Sequence, residues 1–159
     1  MHDSACGFKI KKENIAKLQE YCDTLKLSTE TTHEVVNQFT PSTIPKPLFE
    51  LIEGHLELFG KGLPSPMFCF NFKINSSDIQ CYPTVCRMLV DNITFIKFFP
   101  TKKFKEDFHL EKNEKLDVTV VGTLGINEYN GYRNMQVLIQ DYEVKIDKSS
   151  KYKSIDDIF

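Results

Sequence analysis

The sequence predicts an α+β chain: a small β-barrel of short strands preceded by an N-terminal helical segment. Three observations carry that expectation. Apolar residues recur at helical spacing up to Phe59 and at alternating spacing after Pro66. Between the two regimes, Phe59-Gly60-Lys61-Gly62-Leu63-Pro64-Ser65-Pro66 crowds glycines and prolines into a boundary. Two hairpin signals, Asp91-Asn92 and Asn130-Gly131, fall inside the alternating region.

Each element follows from its own residues. Gly7-Phe8-Lys9-Ile10 is strand-like. From Lys12 to about Leu25, Ile15, Leu18, Cys22 and Leu25 stand three or four apart, the spacing of an amphipathic helix. A Thr-rich stretch follows, with Glu34 to Phe39 as a short extended piece. Pro41 and Pro45 hold off a second helix until Pro47, a residue suited to a first helical turn; Leu48, Leu51, Ile52, Leu56 and Phe59 supply its apolar stripe. Met67 to Ile74 reads as a strand with Phe68, Phe70 and Phe72 on one face, where filling a barrel interior is favoured over a stacking platform for bases. After a turn at Asn75 to Asp78 come strands at Arg87 to Val90 and Ile93 to Phe99, a short helix at Thr101 to Asp107, and strands at Leu116 to Ile126 and Arg133 to Val144. Asn130-Gly131 is the strongest turn, because both central residues of a type I′ turn need positive φ. Five strands with a helix between the third and fourth is the order of an OB fold. The barrel is expected over residues 67–146, a connecting helix and linker over 46–66, and a flexible tail over 147–159.

Composition narrows the function. The chain has 159 residues, 41% hydrophobic and 26% charged, which is globular rather than disordered composition. No apolar run reaches the roughly 18 to 20 residues of a bilayer span, so a soluble, cytoplasmic protein with no membrane partner is expected. Twenty Lys and Arg against 22 Asp and Glu give a formal charge of -2. A bulk electrostatic grip on nucleic acid is thereby disfavoured, and any such binding must come from a local patch. Cys6, Cys22, Cys69, Cys81 and Cys86 include no CxxC pair, so reduced, mostly buried thiols are expected and zinc is not.

Three segments resemble the RecJ single-strand-specific exonucleases of bacteria. His2-Asp3-Ser4-Ala5-Cys6-Gly7-Phe8 is similar to the end of that family's DHHA1 domain, with His2 at the histidine of a Gly-Gly-His sequence and Met1 in place of its second glycine. Leu58-Phe59-Gly60-Lys61-Gly62-Leu63-Pro64-Ser65-Pro66-Met67-Phe68 resembles the linker into the family's OB domain, with Leu58 and Leu63 replacing the usual Pro and Asn. Val118 through Gly131 is similar to the strand and hairpin of that OB domain. The resemblance implies that residues 1–45 are the remnant of a DHHA1-like domain. It also implies a parent enzyme whose catalytic DHH domain uses Mg²⁺ or Mn²⁺. No Asp-His-His occurs here, and His2, His33, His55 and His109 lie far apart, so this chain is expected to be inactive alone and to carry no cofactor.

Candidate contacts to single-stranded DNA follow from charge and ring placement. Lys97, Lys102 and Lys103, among Phe98, Phe99 and Phe104, combine ammonium groups for phosphates with ring faces for bases. The same phenylalanines equally suit a core. Tyr129 and Tyr132 flank the Asn-Gly turn with Arg133 beside them, in a loop that OB folds use on oligonucleotides; a cross-strand pair that only steadies the hairpin is the plainer alternative. Lys73 and Arg87 are surface contacts, and by the resemblance His2 touches phosphate in the parent. Two functions are expected: the strand-binding portion of a RecJ-like 5′ to 3′ exonuclease acting in DNA repair and recombination, or an OB module for interaction or positioning with no DNA affinity of its own.

Overall fold

A computed structural model describes residues 9–24, 32–110 and 112–147. The chain divides into two compact units, 1–32 and 33–159. In the first, a single 3-10 turn at Lys12–Asn14 leads into α1, Ile15–Thr24, where the sequence places a helix.

The second unit holds every strand among the described residues. These are β1 (Asn37–Phe39), β2 (Met67–Asn75), β3 (Gln80–Cys81), β4 (Val85–Val90), β5 (Ile93–Phe98), β6 (Lys115–Tyr129) and β7 (Tyr132–Ile146). They form one sheet in the order β1-β2-β6-β7-β5-β4-β3. The ladders are antiparallel except β1–β2 and β5–β7. The antiparallel β4–β5 and β6–β7 hairpins joined by a parallel β5–β7 contact, with β2 on the far side of β6, give the expected OB arrangement of an α+β chain.

Alternation explains the core. Phe68, Phe70, Phe72 and Ile74 of β2 are buried, as are Met88 of β4, Ile93 and Phe95 of β5, and Leu116, Val118, Val120 and Leu124 of β6. Phe95 meets Phe70 edge-on at 5.3 Å between centroids and Phe72 at 4.6 Å, so the rings fill the interior as expected. Helix α2, Lys46–Glu53, buries Phe49 and Ile52; helix α3, Lys102–Asp107, buries Phe104. Residues 33–66, divided in the sequence reading between a preceding domain and a linker, belong to the barrel's unit: β1 pairs with β2, and Phe49 and Ile52 join its core.

Both hairpin turns take the dihedrals their residues demand. Asp91 and Asn92 have φ of 48° and 64°, Asn130 and Gly131 51° and 78°. One irregularity breaks the long β6–β7 ladder: Val121 pairs with Asp141 but Gly122 with Ile139, leaving Gln140 as an extra residue on β7. Before it Val137 and Ile139 face the core; after it Tyr142 and Val144 do.

The cysteines depart from expectation. Cys81 and Cys86 are directly opposed across β3–β4 and are joined in a disulfide, while Cys69 is a free thiol. The sequence shows two cysteines five apart, but only the turn at residues 82–85 brings them face to face.

Tyr142 packs among Phe104 and Phe108 and donates its hydroxyl to Asp107 Oδ2 at 2.8 Å. Burial first, then the hydrogen bond to Asp107, pushes the phenol above its ordinary range. The unfolded phenol ionises near pH 10, so above that pH the unfolded chain loses a proton that the folded chain keeps. This contribution to stability is whole below about pH 10 and is lost as pH rises through the folded value. Tyr142→Phe is therefore expected to show a smaller fall in urea midpoint between pH 8 and about pH 11 than the parent chain. Equal falls would show that Tyr142 contributes nothing to the alkaline limb.

Candidate nucleic-acid interface

The outward positions of β4, β5 and β7 make one face. Register aligns Arg87 with Ile96 and Leu138, Leu89 with Thr94 and Gln136, and Val85 with Phe98. Because Cys86, Met88, Ile93 and Phe95 take the inner side, these residues are committed outward by the period of two. Leu89 is 68% and Phe98 56% exposed, and both are large apolar groups in water. Arg87 is exposed between them and pairs with no acid among the described residues.

Phe99 extends this face at the end of β5 and is 76% exposed. Its φ of 48° lies in the left-handed region, which is costly for a bulky residue. The position is fixed from across the sheet, where Phe99 N donates to Thr84 O at 2.7 Å. Tyr82 is exposed in the same β3–β4 turn. An outward-held ring, a neighbouring ring and an unpaired guanidinium are the parts a single strand needs.

The other expected contacts are arranged differently. Lys73 Nζ is 2.9 Å from Asp147 Oδ2, and that hydrogen bond, with the carboxylate's charge, holds its pKa up. Lys97 sits on the inner side of β5 at the barrel end, where its Nζ donates to the carbonyls of Ile139 and Gln140 at 3.3 and 3.2 Å. Those are carbonyls at the β7 irregularity, so this lysine serves the fold. Lys102 pairs with Glu106 at 3.4 Å on α3; Lys103 is exposed beside it and has no ion pair among the described residues. His2 lies outside the described residues.

Tyr129 and Tyr132 oppose each other at the hairpin apex, 70% and 75% exposed. Arg133 braces the hairpin: two of its guanidinium nitrogens meet the two carboxylate oxygens of Glu50 on α2 at 3.0 Å each, with Glu128 at 3.6 Å. Arg133 thus acts on the position of the tyrosines, with its own charge already met. The structure brings Arg87 together with Phe98 and Leu89, and keeps Lys73, Lys97 and Arg133 in protein contacts. Leu89 and Tyr82 were not singled out as contacts from sequence, whereas Phe98 was, as a ring face for bases. For Leu89 the signal was present, since it has the opposite parity to Met88.

Residues 37–141, two thirds of the chain, match the family model of the RecJ OB domain. The chain belongs to that family. No curated protein matches it. Among solved structures, this RecJ OB chain is similar to RecJ from Thermus thermophilus in complex with Mn²⁺, with a TM-score of 0.49 and 18% identity over 80% of this chain and 18% of that one. The Mg²⁺ complex of the same protein gives 0.49, 17%, 80% and 19%. The Stn1–Ten1 complex of S. pombe gives 0.37 and 17% over 60% of this chain and 69% of that one. The chain thus spans less than a fifth of the RecJ chains it resembles.

Among the described residues, no three His, Cys, Asp or Glu side chains converge as a metal site requires, so no step through a metal is derived for this chain. Nor is any helix among them long and apolar enough to cross a membrane.

Proposed function

We propose that this chain is the single-strand-binding portion of a RecJ-like 5′ to 3′ single-strand-specific DNA exonuclease acting in repair and recombination in the cytoplasm. Hydrolysis belongs to a catalytic DHH domain of the longer parent, where Mg²⁺ or Mn²⁺ supplies the Lewis acid. The observation that carries the reading is the outer face of β4–β5, where Arg87 stands unpaired between exposed Leu89 and Phe98. OB folds use the equivalent face for oligonucleotides.

The chemistry of such a face is indifferent to sequence. Ring faces accept any base, and a guanidinium accepts any phosphate, which suits an enzyme that must pass every nucleotide. A duplex keeps its bases stacked on one another and leaves Phe98 nothing to stack on. Lys102, Lys103 and the tyrosine pair flank the face and extend the grip, and His2 adds a phosphate contact in the parent.

Fluorescence anisotropy of labelled single-stranded and duplex oligonucleotides, from about 50 to 200 mM salt, tests this. The expected result is a single-strand preference that weakens with salt. Arg87→Glu should make the slope of log affinity on log salt shallower by about 0.7, one phosphate contact on a single strand. Absence of binding by the parent chain to either substrate at low salt would replace this reading with the interaction or positioning module.

A further inference from the structure

At the end of α3 the two acids that follow its lysines, Glu106 and Asp107, are already engaged. Glu106 pairs with Lys102 at 3.4 Å, and Asp107 turns to the opposite side to accept from Tyr142. Glu114 Oε2, buried, faces His109 Nδ1 at 3.0 Å. What remains open is a cavity of about 470 Å³ lined by Lys102, Lys105, Glu106, His109, Leu110 and Lys112. Neither Lys105 nor Lys112 pairs with an acid among the described residues.

The cavity has a built wall. His109 N donates to Glu106 O and Leu110 N to Lys105 O, the two bonds of a Schellman cap, with His109 at the left-handed position that glycine usually takes. Beyond the cap, Ser76 Oγ donates to Lys112 O and accepts from Glu114 N, so a buried serine of the barrel ties down the backbone of Lys112. The lysine cleft therefore has its shape before any ligand arrives.

We infer that this cleft is a second anion site, taking phosphodiester groups of the strand after it leaves the β4–β5 face; the inference rests on the function proposed above. The path is short. Lys102 follows Phe99 by three residues, at most about 11 Å of chain, and Lys105 is the helical neighbour of Lys102 at about 5 to 6 Å. Leu110 gives the cleft an apolar floor, and Lys105 and Lys112 supply its cations.

The test uses the full chain with oligothymidylates of about 6 and about 20 nucleotides, the shorter sufficient for one barrel face. For Lys105→Glu/Lys112→Glu, the salt slope on the longer strand should become shallower by about 1.4, two contacts at about 0.7 each, while affinity for the shorter one is unchanged. Arg87→Glu should weaken both lengths. An unchanged slope on the longer strand, or an equal loss at both lengths, overturns the cleft while leaving the β4–β5 face standing. If the parent chain binds neither strand, the face itself fails, and pyrophosphate then decides the cleft. Saturable amide shifts at Lys105, His109 and Leu110 that vanish in the double variant support an anion site serving free phosphates; absence of such shifts ends it.

Discussion

Phe98→Ala is expected to weaken single-strand binding by about 1 to 3 kcal/mol, roughly 5- to 150-fold, while leaving the urea midpoint of the chain near its parent value. Both halves follow from one position. Phe98 ends β5 on the outer side, more than half exposed, so its ring contributes little to the core and is free to stack on a base. Anisotropy and denaturation on the same sample check it. Unchanged affinity would remove Phe98 as a platform, and a large loss of stability would mean that the ring is structural.

Phe95→Ala, three residues earlier on the same strand, should have the opposite signature. Phe95 is fully buried, between Phe70 and Phe72 in the barrel interior. Its removal leaves a cavity where inward-facing rings meet, and large-to-small changes of this kind cost about 3 to 5 kcal/mol. For a domain with about 5 to 15 kcal/mol in hand, that is a loss visible at once in the urea midpoint. Oligonucleotide affinity of the fraction that remains folded should stay close to the parent value. A midpoint within error of the parent would mean that the interior collapses around the missing ring.

The contrast between these two phenylalanines also shows what could be read in advance. Strand positions and both hairpin turns were legible because they depend on neighbours, through alternation and paired residues that tolerate positive φ. Of the short α3 helix, Thr101, read as its first residue, is its N-cap, the hydroxyl accepting from Phe104 N. β3 was not legible, since two residues make it a strand only by lying opposite Arg87 and Cys86. β1 was legible as part of the extended piece from Glu34 to Phe39, but its pairing was not, since that depends on a parallel partner beginning at Phe68.

The interface was half legible for the same reason. Residue type identified cations and rings, but occupancy is decided by partners distant in sequence. Asp147 takes Lys73 from 74 residues away and Glu50 takes Arg133 from 83. Lys97 finds backbone carbonyls that point its way only where β7 is irregular. Arg87 came through because its cross-strand neighbours, Gln80 and Ile96, bring no acid.

That irregularity at Gln140 sets how the chain tolerates changes in length. Gln140 is the surplus residue, so deleting it would join Ile139 to Asp141 in a regular ladder with Tyr142 and Val144 still inward. Deleting a paired neighbour would instead leave the surplus in place and put the residues beyond the cut on the wrong side. One more residue among the paired positions of 133–146 shifts the phase in the same way. At the Asn130-Gly131 tip no such phase is carried, since the turn faces water and both strands are already in step below it. Growth of this domain by insertion is therefore open at the hairpin apex and closed along the strand that follows, however similar the two stretches look as text.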